Sequence, residues 1–338
     1  MSRPAAHRRA SIADVARAAG VSVGTVSNVL NRPDRVLPGT RERVEAAIAE
    51  LNFVRNGSAR QLRAGTITTI GAVVLDIANP FFTDVARGIE ERLDRDDYTL
   101  MVASSDDDPG REQRYLRLFE EHGVQGVIVV PATDDIEHLQ AIRRRGTGVV
   151  LLDRPSPDPT ISSVAVDDVR GGELAAQHLL EQGHTRITFL NGPHTIRQCA
   201  DRHEGVVKAL AAAGLDPEAA LTEITVTSLN AEGGEAAIRG LLESGDQPTA
   251  VFCVNDLVAL GVLRTLRTEN IAVPADTAVV GYDDVAFAAE LSTPLTSVRQ
   301  PTHELGLRAA DLLLTAPDTA DHVMFRPTLV VRGSSVRP

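Results

Sequence analysis

Two hydrophobic rhythms run along the chain. Between residues 11 and 51 apolar residues recur at helical spacing. Ile12, Val15, Ala16 and Ala19 share one face of a short helix, and Val26, Val29 and Leu30 share one face of a second. Val44, Ala47, Ile48 and Leu51 stand at i, i+3, i+4 and i+7 of a third. From Thr66 onward the pattern changes to short, nearly continuous apolar runs separated by helical stretches. Such runs are 69–75 (TIGAVVL), 126–131 (GVIVVP), 149–153 (VVLLD), 186–190 (RITFL), 250–254 (AVFCV) and 277–282 (TAVVGY). Continuous apolar strands alternating with helices predict parallel sheets covered on both faces, and their number predicts two doubly wound lobes. The expected fold class is therefore α/β, with a small helical headpiece ahead of a two-lobed body.

The residues between the apolar positions sharpen the first rhythm. Ser11 with Asp14 forms a capping-box pattern, and Gly20 can take the left-handed conformation that ends a helix. Ser22 is expected to cap the second helix and Thr40 the third. Val23, Gly24, Ser27 and Asn28 then face outward near the start of the second helix. Two short helices with a tight turn, braced by a third, predict a helix-turn-helix whose second helix fits a major groove about 12 Å wide. Gly20-Val21-Ser22-Val23-Gly24 also matches the G-x-S-x-G elbow of serine hydrolases. That motif needs a strand before the serine, and here a helix precedes it.

Charge at first sight contradicts DNA binding, because the 338 residues carry a formal net charge of −12. The contradiction dissolves when the chain is divided. Residues 1–63 hold eleven Arg, no Lys and five acidic residues, a balance of +6, while the remainder holds 23 basic and 41 acidic residues, a balance of −18. A basic headpiece on an acidic body implies a nucleic-acid partner for one end only. No uncharged apolar run reaches the length of a membrane span, and MSRPAAHRRA is not followed by the apolar core of a secretory signal. Cys199 and Cys253 are too few for a disulfide framework. The expected compartment is the cytoplasm.

In open α/β sheets ligands bind beyond the C-terminal ends of the strands. There the chain places Asp76, Asn79, Phe81 and Phe82, then Asp153-Arg154, Asn255-Asp256 and Asp283-Asp284. Carboxylates and amides exchange hydrogen bonds with hydroxyls, arginine bridges two at once, and phenyl rings cover a sugar's C–H face. The chemistry suits a polyhydroxylated ligand. Each of these residues can also be read as a loop or helix cap, Asn79 and Asp256 most easily.

SIADVARAAGVSVGTVSNVLNRP, followed by TRERVEAAIAELNFVRN and ARQLRAG, resembles the lactose-repressor (LacI/GalR) family of bacterial transcription regulators over essentially the whole chain. The resemblance implies a headpiece over 1–63, with a hinge helix at about 53–63 that orders on DNA as a dimer, and an effector-binding and dimerisation body over 64–338. It implies base reading by Val23, Gly24 and Asn28, within a DNA-facing set of Ser22, Val23, Gly24, Thr25, Ser27, Asn28, Asn31, Arg35, Arg55, Asn56, Ala59, Arg60 and Leu62. Leu62 falls on the family's minor-groove wedge. Arg55, Arg60 and Arg63 suit phosphates, and Gly57 and Ser58 weaken the segment as an isolated helix.

The body is similar to periplasmic sugar-binding proteins of the ribose type. Their motifs fall on Asn79-Pro80-Phe81-Phe82, Asp153-Arg154, Arg202, Asn255-Asp256, Asp283 and Gln300. The implied effector set is Asp76, Asn79, Phe81, Phe82, Asp153, Arg154, Arg202, Asn255, Asp283 and Gln300. One position departs: Val130 replaces an expected Asn, which loses a hydroxyl partner, so that a pentose or 6-deoxyhexose with one apolar corner suits the site at least as well as ribose.

The function expected is a repressor that a small sugar releases from operator DNA. A periplasmic binding protein would account for the body only. A sugar-converting enzyme would need a site the chain does not display: there is no Walker A pattern, Gly146-Thr147-Gly148 precedes rather than follows a strand, and the nine histidines form no HExxH. No cofactor, no metal cluster and no membrane partner are expected. Family members that tetramerise add a C-terminal heptad segment, and a chain ending at Pro338 predicts a homodimer.

Overall fold

The computed structural model describes residues 10–53, 68–315 and 319–336, and the chain divides into two units, 1–67 and 68–338. In the first unit, α1 (Ile12–Ala19) opens on the expected reciprocal cap: Asp14 N–H donates to Ser11 Oγ at 3.3 Å, and Ser11 N–H donates to Asp14 Oδ2 at 2.9 Å. Gly20 ends it at φ 64°, where a side chain would be strained. Ser22 caps α2 (Val23–Asn31), its Oγ accepting from Thr25 N–H at 3.0 Å. The third helix departs from expectation. It is α3 (Pro38–Glu50), so Thr40 lies inside it rather than capping it. Pro38 occupies its first turn, where a missing N–H costs nothing and the ring's fixed φ suits a helix. Val15, Ala16, Ala19, Val26, Val29, Val44 and Ala47 form the core of the unit.

In the second unit, β1 (Thr69–Val74), β2 (Thr99–Ser104), β3 (Gly126–Val129), β4 (Gly148–Leu152), β5 (Ser162–Val166) and β11 (His322–Phe325) form one sheet. Its order is β2-β1-β3-β4-β5-β11, parallel throughout. The apolar runs are continuous because both faces are buried. Val73 and Leu151 pack with Leu116 and Leu139 on one side, while Val74 and Leu152 pack with Ile89 and Leu305 on the other. The flanking helices include α4 (Pro80–Asp94), α5 (Pro109–Glu121), α6 (Glu137–Arg144) and α12 (Thr302–Thr315).

The second sheet runs β7 (Leu221–Thr225), β6 (Ile187–Asn191), β8 (Ala250–Cys253), β9 (Ala278–Asp283), β10 (Thr296–Arg299) and β12 (Thr328–Val330). It is not wholly parallel, since β12 runs antiparallel to β10. The chain passes between lobes three times, after β5, β10 and β11, each time at a strand's C-terminal end. A strand entering the second sheet from that end must run back along it, which fixes the sense of β12. Rings of Phe189 and Phe252 stack at 4.4 Å within this lobe's core.

Helices α7 (Asp168–Glu181) and α8 (Arg197–Ala212) cross closely on the second sheet. The short α9 (Pro217–Ala220) leads into β7, and α10 (Ala231–Glu243) pairs with α11 (Asp256–Thr268). A β-carbon on Gly172 would collide with the Arg202 carbonyl oxygen, and one on Gly205 with that of Val169. The bare backbones at this crossing set the position of Arg202.

Candidate functional site

In the headpiece the exposed start of α2 presents Ser22, Val23, Gly24 and Asn28, with Thr25 and Ser27 half-buried beside them. Val23 is 44% exposed, unusual for an apolar side chain on a helix whose Val26 and Val29 are buried. Thr25 Oγ1 lies 2.9 Å from Ser22 Oγ, and the Asn31 amide donates to the Ser27 carbonyl at 2.8 Å and to Ser27 Oγ at 3.2 Å. Arg35 is exposed on a 3-10 turn, Pro33–Arg35. Arg55, Asn56, Ala59, Arg60 and Leu62 lie outside the described residues.

In the body, the strand ends of both lobes surround a cleft of about 680 Å³, a size usual for small-molecule sites. Nine of the ten expected effector residues line it: Asp76, Asn79, Phe81, Phe82 and Asp153 from the first lobe, Arg202, Asn255 and Asp283 from the second, and Gln300 at a crossover. Arg154 does not. Asp153 takes the left-handed φ of 60° and turns the following residue aside. The Arg154 guanidinium instead holds the loop after β3, donating to the Thr133 carbonyl at 2.8 Å and to Asp134 Oδ1 at 2.6 Å. Val130 is likewise away from the cleft, fully buried in the first lobe's core, and beside the two phenyl rings the apolar lining includes Leu75, Ala132, Ile196, Val226, Leu229 and Val254.

Arg202 is the electrostatic centre. Its Nε donates to Asp168 Oδ1 at 2.8 Å and its Nη1 to the Val254 carbonyl at 2.6 Å, while the guanidinium lies 3.6 Å above the Tyr282 ring. Nη2 takes no part in these contacts. Burial works against its charge, but Asp168, Tyr282 and Asp283 hold its pKa above the usual arginine value. Asp283, at φ 103°, accepts from the Gln300 amide at 2.8 Å. Burial raises its pKa, the nearby Arg202 and the amides of Gln300 and Asn79 offset part of that rise, and the net result is a carboxyl pushed up to about 6.

Asp153 is raised well above the carboxylate range, by burial first and then by Asp168. Its Oδ2 accepts from the Gln198 amide at 2.8 Å. Its Oδ1 and the Gln300 Oε1 are buried with no partner. Buried polar oxygens without partners are uncommon, and this cleft has two, one on a carboxyl whose burial favours the protonated form and one on an amide.

Two residues are as much caps as ligand groups. Asn79 Oδ1 accepts from Phe81 N–H at 3.0 Å at the start of α4. Asn255 Oδ1 accepts from Val258 N–H at 2.8 Å at the start of α11, and its amide donates to the Leu229 carbonyl at 2.9 Å. Phe81 and Phe82 meet edge-to-face at 4.9 Å. Asp256 is wholly structural, buried and accepting from Ser297 Oγ and Val285 N–H.

Several cleft residues went unforeseen: Gln198, Asp106 and Asp107 among them. Asp106 and Asp107 follow β2, and Gln198 lies just beyond the turn after β6, so the strand-end rule applied to those two strands would have found them. A further departure is that His194, His203 and Glu223 bring their ligating atoms within 4.8 Å of one another, although no metal-binding cluster was expected.

A helix-turn-helix unit, together with a two-lobed body whose polar cleft has unpartnered buried oxygens, defines a DNA-binding protein equipped to bind a small ligand. The chain belongs to the lacI family of bacterial regulatory proteins. Residues 11–56 match the family model described as bacterial regulatory proteins, lacI family, and residues 67–324 match that of the periplasmic binding proteins and sugar binding domain of the LacI family.

Among its relatives, the ribose operon repressor of Escherichia coli (strain K12) is 35% identical over 333 residues, 96% of this chain and 100% of that protein. The HTH-type transcriptional repressor PurR of Photobacterium profundum is 33% identical over 330 residues, 96% of this chain and 98% of that protein. The solved structure of the lac repressor dimer bound to operator and the anti-inducer ONPF superposes with a TM-score of 0.77 at 28% identity, covering 98% of this chain and 100% of that one. The chain is a DNA-binding transcriptional regulator, and these relatives are repressors rather than enzymes. No described helix is long and apolar enough to cross a membrane.

Proposed function

We propose that this regulator is a repressor, acting in the cytoplasm as a homodimer, that a small neutral sugar releases from its operator. The observation that carries the reading is the pair of buried oxygens without partners, Asp153 Oδ1 and Gln300 Oε1, flanking Arg202 and Asp283. Burial favours the neutral form of Asp153, and four further carboxyls, those of Asp76, Asp106, Asp107 and Asp283, line the cleft against the one guanidinium of Arg202. Such a lining repels phosphates and carboxylates and accepts hydroxyls. Phe81 and Phe82 lie against the ligand's apolar face, and Leu75 and Ala132 supply an apolar corner suited to a pentose or 6-deoxyhexose. The names of the ribose operon repressor and of the operator-bound lac repressor dimer point the same way.

In this reading the headpiece spans 1–63, with a hinge at about 53–63, and the body spans 64–338. Asn28, Val23 and their neighbours on α2 read bases, while Arg35, Arg55 and Arg60 meet phosphates and Leu62 enters the minor groove. The test is a thermal-shift screen against neutral, phosphorylated and carboxylated sugars. A ligand at 100 times its dissociation constant adds about 2.7 kcal/mol. Hits are carried to an operator gel shift. Stabilisation by phosphosugars alone, or a hit that tightens operator binding, would overturn the reading.

A further inference from the structure

Three side chains from three elements converge on one point at the rim of the second lobe. His194 lies in the turn after β6, His203 on α8, and Glu223 on β7, the edge strand of its sheet. His194 Nε2 lies 2.9 Å from Glu223 Oε1, and His203 Nδ1 lies 3.0 Å from Glu223 Oε2. The two imidazole rings stand 4.8 Å apart at 58°, too tilted to stack. His203 Nδ1 is buried and, despite that short distance, has no partner in hydrogen-bonding geometry. Asn191 fixes the carboxylate from behind, its amide donating to Glu223 Oε1 at 2.6 Å and to the Cys199 carbonyl at 3.0 Å. The His194 side chain is 48% exposed, so the open side of the cluster faces solvent.

We infer that His194, His203 and Glu223 form a binding site for a divalent transition-metal ion, zinc above all, that tethers the wall of the effector cleft. The donor set is two imidazoles and one carboxylate with a solvent-facing position left for water, a combination that suits zinc. Two nitrogen donors argue against magnesium and calcium, which prefer oxygen ligands. The two spacings of 2.9 and 3.0 Å run to different oxygens of Glu223, and one ligating atom from each residue lies within 4.8 Å of the others; ligands about 2 Å from a tetrahedral ion lie somewhat over 3 Å apart, so side-chain rotation is enough to close the set around an ion. Asn191 supplies the outer hydrogen bond that orients a ligating carboxylate. An ion here joins β7 to the turn and helix that carry Gln198 and Arg202 into the cleft. The site itself does not depend on the identity of the effector.

The experiment uses the full-length chain, stripped with chelator, titrated with zinc and separately with cobalt. The expected result is one ion per chain, a cobalt spectrum with the intense visible bands of a four-coordinate site, and at least a hundredfold weaker binding in His194→Ala and Glu223→Gln. Both substitutions are conservative for folding, because His194 is exposed and a glutamine keeps the oxygen that Asn191 engages. Hydrogen exchange on the same samples should slow across residues 193–203 when zinc is added to the parent and not to Glu223→Gln. Failure to bind stoichiometric metal, or binding that survives both substitutions, overturns the site. Zinc binding without slowed exchange overturns the tether. If the cluster is only a pair of histidine–glutamate ion pairs, neither metal binds and the proposal falls.

Discussion

The Gln198 amide nitrogen stands 2.8 Å from both Oδ2 and the backbone carbonyl of Asp153, joining α8 of the second lobe to the end of β4 in the first. One side chain thus orients the Asp153 carboxyl across the cleft and leaves Oδ1 facing inward. Burial favours the neutral form of that carboxyl, and a hydrogen bond between neutral groups contributes about 0.5–1.5 kcal/mol. Gln198→Ala is therefore expected to weaken effector binding by roughly twofold to tenfold, with operator affinity in the absence of effector unchanged. Calorimetric titration with the ligand found in the screen checks this, and an unchanged affinity would show that Asp153 needs no positioning.

Asp283 supplies a pH signature. Its pKa in the folded chain is about 6, against roughly 3.9 when unfolded. A raised carboxyl favours the fold in its protonated form. Its contribution is fully present below about pH 4 and is lost as pH rises through about 6, a change of up to about 3 kcal/mol. Asp283→Asn removes the ionisation while keeping an oxygen for the Gln300 amide. The ligand-free variant should match the parent near pH 4 and exceed it in stability by pH 7. Denaturant melts at four pH values measure the difference, and a gap independent of pH would mean the carboxyl is not perturbed in the free protein.

How much of this was legible in the chain divides along physical lines. Periodicity and caps located the helices of the headpiece, because Ser11, Asp14, Gly20 and Ser22 act on backbone groups a few residues away. Thr40 misled for the same local reason: it is a good cap in isolation, but Pro38 starts the helix earlier. Buried parallel strands announced themselves as apolar runs, whereas β12 was missed as antiparallel because its sense follows from the third passage between lobes. In the cleft, residues at the ends of conspicuous strands were found. Arg154 failed because the left-handed turn at Asp153 redirects it, which no spacing reveals. The His194, His203 and Glu223 cluster joins residues up to 29 positions apart in sequence, and only the pairing of β6 with β7 brings them together.

Arg202 serves both folding and the ligand cleft, and two substitutions separate these roles. Removing it leaves Asp168 buried with the Tyr282 hydroxyl, 2.8 Å away, as its remaining side-chain donor. Breaking a buried ion pair by deleting one partner costs about 3–5 kcal/mol. Arg202→Ala is expected to lower the stability of the body by that amount and to abolish the effector response. Arg202→Lys keeps a charge for Asp168 but cannot also reach the Val254 carbonyl and a ligand in the planar arrangement. It should be more stable than the alanine variant yet equally unresponsive in an operator gel shift with saturating ligand. A lysine variant that responds like the parent would remove Arg202 from the ligand's first contacts.

The last prediction concerns base reading by α2. Asn28 is exposed on the outward face, and Gly24, one turn earlier, offers no side chain, with only the Ser22 hydroxyl near the position a β-carbon would take. Direct reading on this helix therefore rests on few groups: the Asn28 amide, suited to an adenine edge, and the exposed Val23, suited to a thymine methyl. Asn28→Ala should cost about 1–3 kcal/mol on the preferred operator and flatten the preference at one base pair, leaving affinity for unrelated DNA unchanged. Arg35→Ala should instead weaken binding to every sequence alike and reduce the slope of log affinity against log salt by about one phosphate's worth. Fluorescence anisotropy on a set of single-substitution operators at several salt concentrations separates the two. If Asn28→Ala lost affinity uniformly while Arg35→Ala altered the base preference, the roles assigned to the two residues would be reversed, and the turn carrying Arg35 would face the groove in place of the start of α2.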